Sequence, residues 1–535
     1  MIKSTNRESL VPKFNYPQLY KDQIPFLEEN TLLQRLKSSR NSYNNDPFRP
    51  IYHYVNPENT LNDPNGLCYW KGFWHLFYQA YPPEDTRQHW GHAISKDLIH
   101  WEDLPYAIYP NPEEACFSGA TFVEENRVIA MYHGTKVGNM IAISNDDLLL
   151  NWNKINNQKP VIKISNNDGM ELPYKVFDPC IWKKGEYYYS LSGGTLPHNP
   201  TGRRKRANFL FRSKDLINWK YLHPFVEGDN FTRVGDDGAC PYFWPIGDDR
   251  YILYFFSHMS GGQALLGDYD KERDKFLVTS HHEFNFGAAH PGGIHAPSAT
   301  TYKNDKNIVI FNMNNSKNTH KWNQIMSLPR EVGIFGKDKI NRDVLSIKPA
   351  GDIESLRYNH KSIQNLEIAP NKEILLENIT GNTLEINMEI NLNKSTMFEL
   401  KVLRSENSEE FTKISFYKNR GFRDWEKYEG WEVEKRLNAT DSIVSIDSSH
   451  SSLDPDVLSR PPESAPFYIE ENEKLFLRVF IDKSVLEVFV NERQCVATRV
   501  YPSKKDSIGV SVLSKGSNSK IISLDAYDMK NIYKK

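Results

Sequence analysis

The chain has 535 residues, of which 39% are hydrophobic and 25% are charged, and its formal net charge is −2. A chain of this length normally exceeds one compact core, so two globular domains are expected. The near-neutral charge gives no electrostatic reason to bind nucleic acid or an anionic membrane, and it favours a neutral substrate. Aromatic residues make up 13% of the chain, which suits strand-rich cores and the flat surfaces on which sugars stack.

The sequence indicates neither a metal framework nor a membrane segment. The five cysteines lie far apart and form no Cys-x-x-Cys pair, which argues against a zinc site and against a disulfide framework. The first residues lack the apolar core that a secretory signal needs, and no later stretch is long enough to span a bilayer. As written, the chain is predicted to be cytoplasmic, or secreted if a leader was removed.

Residues 1–47 are polar with few periodic apolar positions, and they are predicted to form an extension that wraps the folded body. From Tyr52 onward, short β-rich runs alternate with turn residues, and long helical periodicities are missing. Residues 67–70, 73–78 and 251–256 are examples of these predicted strands. The sequence therefore predicts an all-β fold.

An internal repeat covers residues 95–101, 144–152 and 213–219. Each copy begins with Ser, carries Asp two residues later and ends in Trp. Copies spaced by about 50 to 70 residues predict the blades of a β-propeller, with one four-stranded sheet for each repeat. We expect the Ser and Asp to cap the turn between two strands and the Trp to pack between neighbouring sheets.

The second half of the chain has a different pattern. A Lys- and Asp-rich connection runs through residue 350, and many short alternating strands follow it. Residues 477–491 are predicted to form two strands joined by a tight Asp-Lys-Ser turn, and this pattern is typical of a β-sandwich. The predicted division is an N-terminal extension at 1–47, a propeller domain at 48–345, and a linker with a C-terminal β-sandwich at 346–535.

One acidic side chain stands inside Asn62-Asp63-Pro64-Asn65-Gly66, a sequence typical of a rigid turn. A carboxylate held in few orientations can act as a nucleophile, although the same residues are also ordinary turn chemistry. A second acid with similar neighbours occurs in Phe177-Asp178-Pro179. The second acid and the many aromatic residues around both acids favour a functional site over a plain turn, and the aromatic rings suit stacking on a sugar or a nucleobase.

These motifs resemble those of glycoside hydrolase family 32, the invertases, inulinases and related β-fructofuranosidases. The resemblance runs from His53 to the end of the chain, and it implies a five-bladed β-propeller followed by a β-sandwich. Order and spacing agree across a set of short motifs: His53-Tyr54, Asn62-Asp63-Pro64-Asn65-Gly66, His75-Leu76-Phe77-Tyr78-Gln79, Trp90-Gly91-His92-Ala93, Asp97-Leu98-Ile99-His100-Trp101, Leu104-Pro105, Phe117-Ser118-Gly119, Asp178-Pro179, Cys240-Pro241, Ala296-Pro297 and Leu328-Pro329-Arg330.

The resemblance also implies roles for individual residues. The aspartate matching Asp63 is the nucleophile that attacks the anomeric carbon of a terminal β-fructofuranosyl unit, and the aspartate matching Asp178 binds sugar hydroxyls and stabilises the transition state. By residue type alone, each candidate for the sugar pocket is more often structural. The matching substrate-binding candidates are Asn62, Gln79, Trp90, Phe117 and Ser118. No metal or organic cofactor is implied, and the histidines of the propeller are predicted to be hydrogen-bonded within it.

The chain departs from the family pattern at three positions. Ala239 stands directly before Cys-Pro, where the family has a glutamate as general acid and base, and a methyl group cannot donate a proton. Phe177 replaces an arginine, and Thr60 replaces a tryptophan. An engineered substitution explains only Ala239, whereas a divergent subfamily with an altered pocket explains all three and is favoured.

Three other acids are candidate proton donors. Asp237 and Asp236 lie two and three residues before Ala239, and either can serve if the loop turns it inward. A solvated Asp-Asp-Gly turn is an equally good interpretation. Glu171 is a further and weaker candidate.

The sequence therefore predicts a retaining β-fructofuranosidase that acts on sucrose, fructo-oligosaccharides or fructans, with Asp63, Asp178 and Asp237 as the catalytic candidates. One alternative is a carbohydrate-binding protein that lost turnover together with its general acid. Another is a related furanosidase with altered sugar specificity, for example towards arabinosides. The sandwich suits either contacts in a homodimer or binding of distal sugar units.

Overall fold

The computed structural model describes residues 8–164, 172–196, 205–247, 249–302, 305–319, 321–338, 341–421, 441–470 and 472–534. Strands dominate these residues and form five small sheets followed by two six-stranded sheets. The predicted all-β fold, a five-bladed propeller followed by a sandwich, is confirmed. Within the described ranges, the helices are too short or too polar to cross a membrane.

The five blades follow one another along the chain. Blade 1 contains β1 (Leu61–Trp70), β2 (Phe73–Ala80), β3 (His89–Ser95) and β4 (Glu102–Ile108). Blade 2 contains β5 (Cys116–Val123), β6 (Val128–Gly134), β7 (Gly138–Ser144), β8 (Asn153–Lys154) and β9 (Ile162–Lys163). Blade 3 contains β10 (Pro179–Lys184), β11 (Tyr187–Ser192), β12 (Phe209–Ser213) and β13 (Lys220–Pro224). Blade 4 contains β14 (Val226–Glu227), β15 (Ala239–Gly247), β16 (Arg250–Ser257), β17 (Gly261–Asp270) and β18 (Lys275–Glu283). Blade 5 contains β19 (Ile294–Thr301), β20 (Asn307–Met313), β21 (Ile325–Met326), β22 (Arg330–Lys337) and β23 (Asp343–Pro349).

The inner strands of the blades are β1, β5, β10, β15 and β19, and each contacts the next around a closed ring. Four of them carry a bulge at their first residues, where the pairing register shifts: β1, β5, β15 and β19. A bulge bends the strand and re-aims its side chains. The starts of the inner strands therefore turn side chains towards the centre of the ring.

The Ser-x-Asp repeats cap turns between strands, as the sequence predicts. Asp97 accepts the hydroxyl of Ser95 and the backbone N–H groups of Ile99 and His100, at 2.8–2.9 Å. The other two copies make the same type of turn around Asp146 and Asp215. The Trp of the second copy packs between blades 1 and 2, which confirms its predicted place.

The two sheets after the propeller pack face to face as a sandwich. The first has the order β24, β35, β26, β31, β32, β33, and the second has the order β25, β34, β27, β28, β29, β30. Their bounds are β24 (Arg357–Ile368), β25 (Ile374–Thr380), β26 (Thr383–Asn391), β27 (Met397–Arg404), β28 (Thr412–Tyr417), β29 (Ser442–Asp447), β30 (Glu463–Phe467), β31 (Leu475–Asp482), β32 (Val485–Val490), β33 (Gln494–Arg499), β34 (Gly509–Lys515) and β35 (Ser519–Met529).

Alternation of apolar residues explains the sandwich core. Ile386 and Met388 of β26 and Leu400 and Val402 of β27 are buried in one cluster that both sheets share. Because successive side chains of a strand point to opposite faces, this period of two places one apolar face of each sheet inside. The predicted hairpin at 477–491 is present as β31 and β32.

Two helices lie in the segment that was predicted only as an extension: α1 (Tyr20–Glu28) and α2 (Thr31–Ser42). The Asn30 side chain caps α2 by accepting the N–H of Leu33 at 3.0 Å. Leu32 and Leu36 are buried in a cluster with residues of blade 1, since positions four apart share one helix face. The extension therefore packs against blade 1.

The end of blade 5 and the start of the sandwich are close in sequence. β23 ends at Pro349 and β24 begins at Arg357. The boundary after residue 345 and the other predicted domain limits stay predictions. We propose that the propeller ends after Pro349, where the strand pairing of blade 5 ends.

A buried ionic network joins the propeller to the sandwich. The His53 ring, just before blade 1, contacts Asp482 at 2.9 Å and Glu487 at 3.2 Å, both on the sandwich hairpin. Glu487 also accepts the guanidinium of Arg330 in β22 at 2.9 Å and the N–H of Leu328 at 2.7 Å. All four charged side chains have no exposed surface.

The network also satisfies backbone groups of the segment that enters blade 1. Asp482 accepts the N–H groups of Ile51, Tyr52 and His53 at 2.8–2.9 Å. Near the other end of the chain, the Tyr533 hydroxyl donates to the carbonyl of His53 at 2.8 Å. Blades 1 and 5 and the sandwich therefore meet at one cluster of polar groups.

Charges inside the network reinforce one another. Burial opposes a charge on His53, but the hydrogen bonds that its ring donates to Asp482 and Glu487 raise its pKa to about 8. Burial likewise opposes ionisation of Glu487, but the Arg330 charge and the His53 hydrogen bond lower its pKa to about 2. The His53 contribution to stability is complete below its ordinary pKa of 6.5 and is lost as the pH rises through about 8. The Glu487 contribution is complete above 4.5 and is lost as the pH falls through about 2.

Replacing Glu487 by Gln should therefore lower the free energy of unfolding by about 3–5 kcal/mol at pH 6, because Arg330 and His53 then stay buried without their counter-charge. Urea unfolding followed by tryptophan fluorescence measures this change. Glu492→Gln is the matched control, since Glu492 pairs with Lys348 across the same junction but is 59% exposed, and it should change stability by less than about 1 kcal/mol. Equal effects of the two variants would contradict the role of the network.

Candidate active site

A cavity of about 110 Å³ opens at the starts of the inner strands, at the centre of the propeller. It is lined by two carboxyl groups, by amides, and by aromatic and imidazole rings, a mixture suited to a polar ring-shaped ligand. The lining residues are Asn62, Asp63, Gln79, Gln88, Phe117, Phe177, Asp178, Ala239, Phe256, His258 and His295.

Asp63 lies within a strand, which corrects the predicted turn. Residues 62–66 belong to β1, and the register shifts twice, between Leu61 and Pro64 and between Asn65 and Cys68. Gly66 has a φ of +49°, and a side chain there would collide with Thr121. The residues that favour turns therefore build two bulges instead, because both structures need unusual backbone angles.

The Asp63 carboxyl is buried and accepts hydrogen bonds on one oxygen. Oδ2 accepts from the Ser118 hydroxyl at 2.7 Å and from the Gln79 amide at 3.3 Å. The same amide donates to the Ser118 oxygen at 2.7 Å. Oδ1 lies 4.0 Å from Nδ1 of His295. Hydrogen bonds thus fix Oδ2, whereas no side chain of the described residues lies within 3.5 Å of Oδ1 as a hydrogen-bond partner.

Asp178 stands directly before β10, and its carboxyl is joined to Asp63 through Cys240. The backbone N–H of Cys240 donates to Oδ2 of Asp178 at 3.2 Å, and the Cys240 sulfur lies 3.5 Å from Oδ2 of both aspartates. Oδ1 of Asp178 is buried without a hydrogen-bond partner among the described residues. Such an oxygen is available to accept a hydroxyl from a ligand.

Burial governs the ionisation of these groups. It raises the pKa of Asp63, against the hydrogen bonds from Ser118 and Cys240. Burial and the Asp63 charge raise the pKa of Asp178 to about 7. Burial and both carboxylates raise the pKa of Cys240 well above its usual value, so this residue is a neutral thiol that donates weakly.

Two of the three departures from the family pattern, Phe177 and Ala239, line this cavity. Ala239 begins β15 and is 1% exposed, packed with Phe256, Ala296 and Cys240, with Phe177 against the cluster. No carboxyl is therefore present at position 239. Phe177 stacks on His133 with ring centroids 5.6 Å apart and offers Asp178 no cation. Thr60, just before β1, has a carbonyl that accepts the Asn56 amide at 3.2 Å.

The predicted substrate-binding residues divide into two groups. Asn62, Gln79 and Phe117 line the cavity, and the Asn62 amide donates to the Gln79 oxygen at 3.1 Å. Trp90 and Ser118 are not among the residues that line the cavity, and their predicted contact with a ligand stays a prediction. Trp90 has no exposed surface and donates to the Phe117 carbonyl at 3.0 Å, and Ser118 is 1% exposed and holds Asp63.

The candidate proton donors also differ in placement. Asp236 is buried, and its carboxyl accepts two hydroxyls, from Ser257 at 2.5 Å and Ser260 at 2.6 Å. Asp236 is thus committed to the structure of its loop. The Asp237 carboxyl instead contacts Nδ1 of His258 at 2.6 Å and does not itself line the cavity. Glu171 lies outside the described residues.

The sequence did not single out Gln88, Phe256 and His258, or assign His295 to the site. Phe256 ends a predicted strand and His258 follows it. In sequence, both residues look like those at the end of any strand and in the loop after it. His295 begins a bulged strand, and both of its ring nitrogens are buried without a hydrogen bond in the described part of the chain. Within that part, no group of three His, Cys, Asp or Glu side chains is arranged to hold a metal ion.

Comparison with known proteins gives a consistent match along the chain. The family model for the glycosyl hydrolases family 32 N-terminal domain matches residues 53–349, and the model for the family 32 C terminal matches residues 352–528. Levanase from Bacillus subtilis is 27% identical, over 92% of this chain and 72% of that protein. Sucrose-6-phosphate hydrolase from Escherichia coli is 27% identical, over 88% of this chain and 94% of that protein.

Solved structures share the fold. Fructan 1-exohydrolase IIa from Cichorium intybus has a TM-score of 0.75 and 22% identity, over 91% of this chain and 98% of that one. Sucrose-6-phosphate hydrolase from Lactobacillus gasseri has a TM-score of 0.71 and 19% identity, over 97% of this chain and 98% of that one.

Replacing Asp178 by Asn should stabilise the protein at pH 8. The pKa of Asp178 is about 7 when folded and 3.8 ordinarily, so its stabilising contribution is complete below pH 3.8 and is lost as the pH rises through about 7. The variant should gain up to about 4 kcal/mol at pH 8, at about 1.4 kcal/mol for each pKa unit, and little at pH 4. Urea-unfolding midpoints at both pH values test this, and a loss of stability at pH 8 would contradict it.

Proposed function

We propose that the chain, which belongs to family 32 of the glycosyl hydrolases, is a retaining β-fructofuranosidase. Its substrates are the terminal β-fructofuranosyl units of sucrose, fructo-oligosaccharides or fructans. The observation that carries the proposal is the buried Asp63 carboxyl at the base of a central cavity, with Oδ2 fixed by Ser118 and Oδ1 open to a ligand. The names of the related levanase and sucrose-6-phosphate hydrolase support the same class of substrate.

In the proposed reaction, an Asp63 oxygen attacks the anomeric carbon of the bound fructosyl unit. The bond from that carbon to the leaving oxygen breaks through an oxocarbenium-like state, and a covalent fructosyl ester forms. Water then cleaves the ester from the same face, so the configuration is retained. The attack requires Asp63 to be ionised, and its raised pKa makes the carboxylate a stronger nucleophile than a solvated one.

Asp178 is assigned to the sugar hydroxyls. Its unpartnered Oδ1 accepts a hydroxyl that would otherwise be hydrogen-bonded to water. Asn62 and Gln79 add amide groups on the cavity wall, and Phe117 and Phe177 add apolar faces against which the ring carbons pack. The polar groups and the flat faces together favour a furanosyl ring over a charged or fully apolar ligand.

A second candidate function is carbohydrate binding without turnover. Ala239 favours it, because its buried methyl group occupies the position of the expected proton donor. Titration calorimetry with sucrose and 1-kestose separates the two functions. Micromolar binding with no release of fructose supports the binding protein, and release of fructose excludes it.

Replacing Asp63 by Asn should lower fructose release from sucrose, 1-kestose, inulin or levan by at least about 10³-fold, because an amide cannot form the fructosyl ester. In buffer that contains methanol, the wild type should form methyl β-fructofuranoside, as retention requires. Asp147→Asn is the control, since Asp147 pairs with Lys71 away from the cavity and its loss should leave the rate within about twofold. Equal activity of wild type and Asp63→Asn on every substrate would contradict the proposal.

A further inference from the structure

His258 and Asp237 form a hydrogen-bonded pair beside the cavity. His258 follows β16, and its Nδ1 lies 2.6 Å from Oδ2 of Asp237, while its backbone N–H donates to Oδ1 at 3.4 Å. The imidazole lines the cavity together with Asp63 and Asp178. Within the described residues, no hydrogen bond engages Nε2, and the side chain is 59% exposed. One ring nitrogen is thus held by a carboxylate, and the other is free to exchange a proton.

The loop that carries Asp237 is anchored at several points. The Asp237 carbonyl accepts the N–H of Gly194 at 3.0 Å, and the neighbouring Asp236 carboxyl is held by Ser257 and Ser260. Ser257 immediately precedes His258, so the two loops are tied to each other. The Phe256 ring packs edge-on against the imidazole, with ring centroids 4.7 Å apart. These contacts restrict where the imidazole can lie.

The charges around His258 favour its protonated form. The hydrogen bond that His258 donates to Asp237 raises the pKa of His258, burial opposes this, and the charges of Asp237, Asp63 and Asp178 raise it further. His290 and His295 also face it, but burial lowers the pKa of each, and the His258 charge lowers them further. A protonated His258 therefore has two neutral imidazoles and three carboxyl groups around it.

We propose that His258 is the general acid and base of this site, and that Asp237 is the residue that positions it. This role rests on the proposed fructosidase function and supplies the proton that Ala239 cannot. Nε2–H donates its proton to the glycosidic oxygen as the bond from that oxygen to the anomeric carbon breaks and Asp63 forms the ester. In the second step, neutral Nε2 takes a proton from water as the water oxygen bonds to the anomeric carbon and Asp63 departs as a carboxylate.

The proposal changes the part assigned to Asp237 on sequence grounds. Its carboxyl does not line the cavity, and the imidazole stands between it and the ligand. A carboxylate on one nitrogen fixes the tautomer and the orientation of the ring, which is the general use of such pairs in proton transfer. Asp237 thus acts through His258 and not by direct contact with the sugar.

Comparing two leaving groups tests the role of His258. The glucose of sucrose needs a proton to depart, whereas the p-nitrophenolate of p-nitrophenyl β-fructofuranoside does not. His258→Asn should lower kcat/KM for sucrose by about 10²–10⁴-fold and kcat/KM for the p-nitrophenyl substrate by less than about tenfold. Asn retains a donor for Asp237, and the exposed position makes misfolding a poor explanation of any loss, which circular dichroism checks.

His100→Asn is the matched control. His100 contacts Asp97 through Nδ1 at 2.8 Å and is 45% exposed, but it lies on blade 1 away from the cavity. It should leave kcat/KM for both substrates within about twofold. The role of His258 would be overturned if His258→Asn kept the wild-type kcat/KM for sucrose, or if it lost the same factor on both substrates. In either case an active wild type would still support the fructosidase function.

A pH profile tests the role of Asp237. Loss of its carboxylate removes the main cause that raises the pKa of His258, so Asp237→Asn should shift the alkaline limb of kcat/KM for sucrose to lower pH. The p-nitrophenyl substrate should show no such shift. An unmoved limb would overturn the positioning role. Inactivity of the wild type on both substrates would overturn the fructosidase function, and the assignment of His258 with it.

Discussion

Closure of the propeller depends on two buried carboxylates that belong to the sandwich, Asp482 and Glu487. The segment that enters blade 1 has three N–H groups with one acceptor in common, Asp482, which belongs to the sandwich. Glu487 of the same hairpin binds Arg330 of blade 5. Since the first and last blades must meet for the inner strands to form a ring, the sandwich helps to set the shape of the cavity. The two domains are thus one structural unit at this point.

Burial of the two carboxyl groups in the active site is unfavourable, and few charged groups nearby compensate for it. Asp63 and Asp178 are buried close together, and the hydrogen bonds that reach them within the described residues come from neutral groups: a hydroxyl, an amide, a thiol and a backbone N–H. Phe177 lines the cavity beside Asp178, and no Lys or Arg of the described residues lines it. Buried carboxyl groups of this kind lower the stability of the folded protein, but their raised pKa values make them reactive. His258 is the group with a raised pKa that faces both carboxyls.

Much of the fold could be predicted because its signals are local. Short β-rich runs bounded by turn residues predicted β2 and β16, alternation of apolar residues predicted the sandwich strands, and the Ser-x-Asp repeats predicted the blades. The helices at residues 20–42 were missed because that segment is polar and only a few leucines mark its buried face. The bulges of β1 were taken for a turn, since the same residue types serve both.

The active site could be predicted only in part, because only some of its residues lie in local sequence motifs. Asp63 and Asp178 stand in short motifs that can be recognised from sequence alone. The pairing of Asp237 with His258 joins residues 21 positions apart across the hairpin of β15 and β16, and no motif marks it. Trp90 is predicted at the ligand only because it matches a family position, and the folded chain buries it between blades 1 and 2. Short sequence motifs thus identified the two acids, whereas the residues that surround each acid could be identified only from the folded structure.

The ionic network between the propeller and the sandwich also determines the order in which the two domains complete their folding. His53 and Asp482 are separated by 429 positions. At a translation rate of about 5–20 residues per second, a ribosome needs roughly 20–90 s to deliver the second residue after the first. Until Asp482 has been synthesised, the nascent chain lacks the acceptor for the backbone that enters blade 1. The propeller, which is synthesised first, is therefore completed last. The edges of its incomplete sheets depend on protection from aggregation until the sandwich has been synthesised.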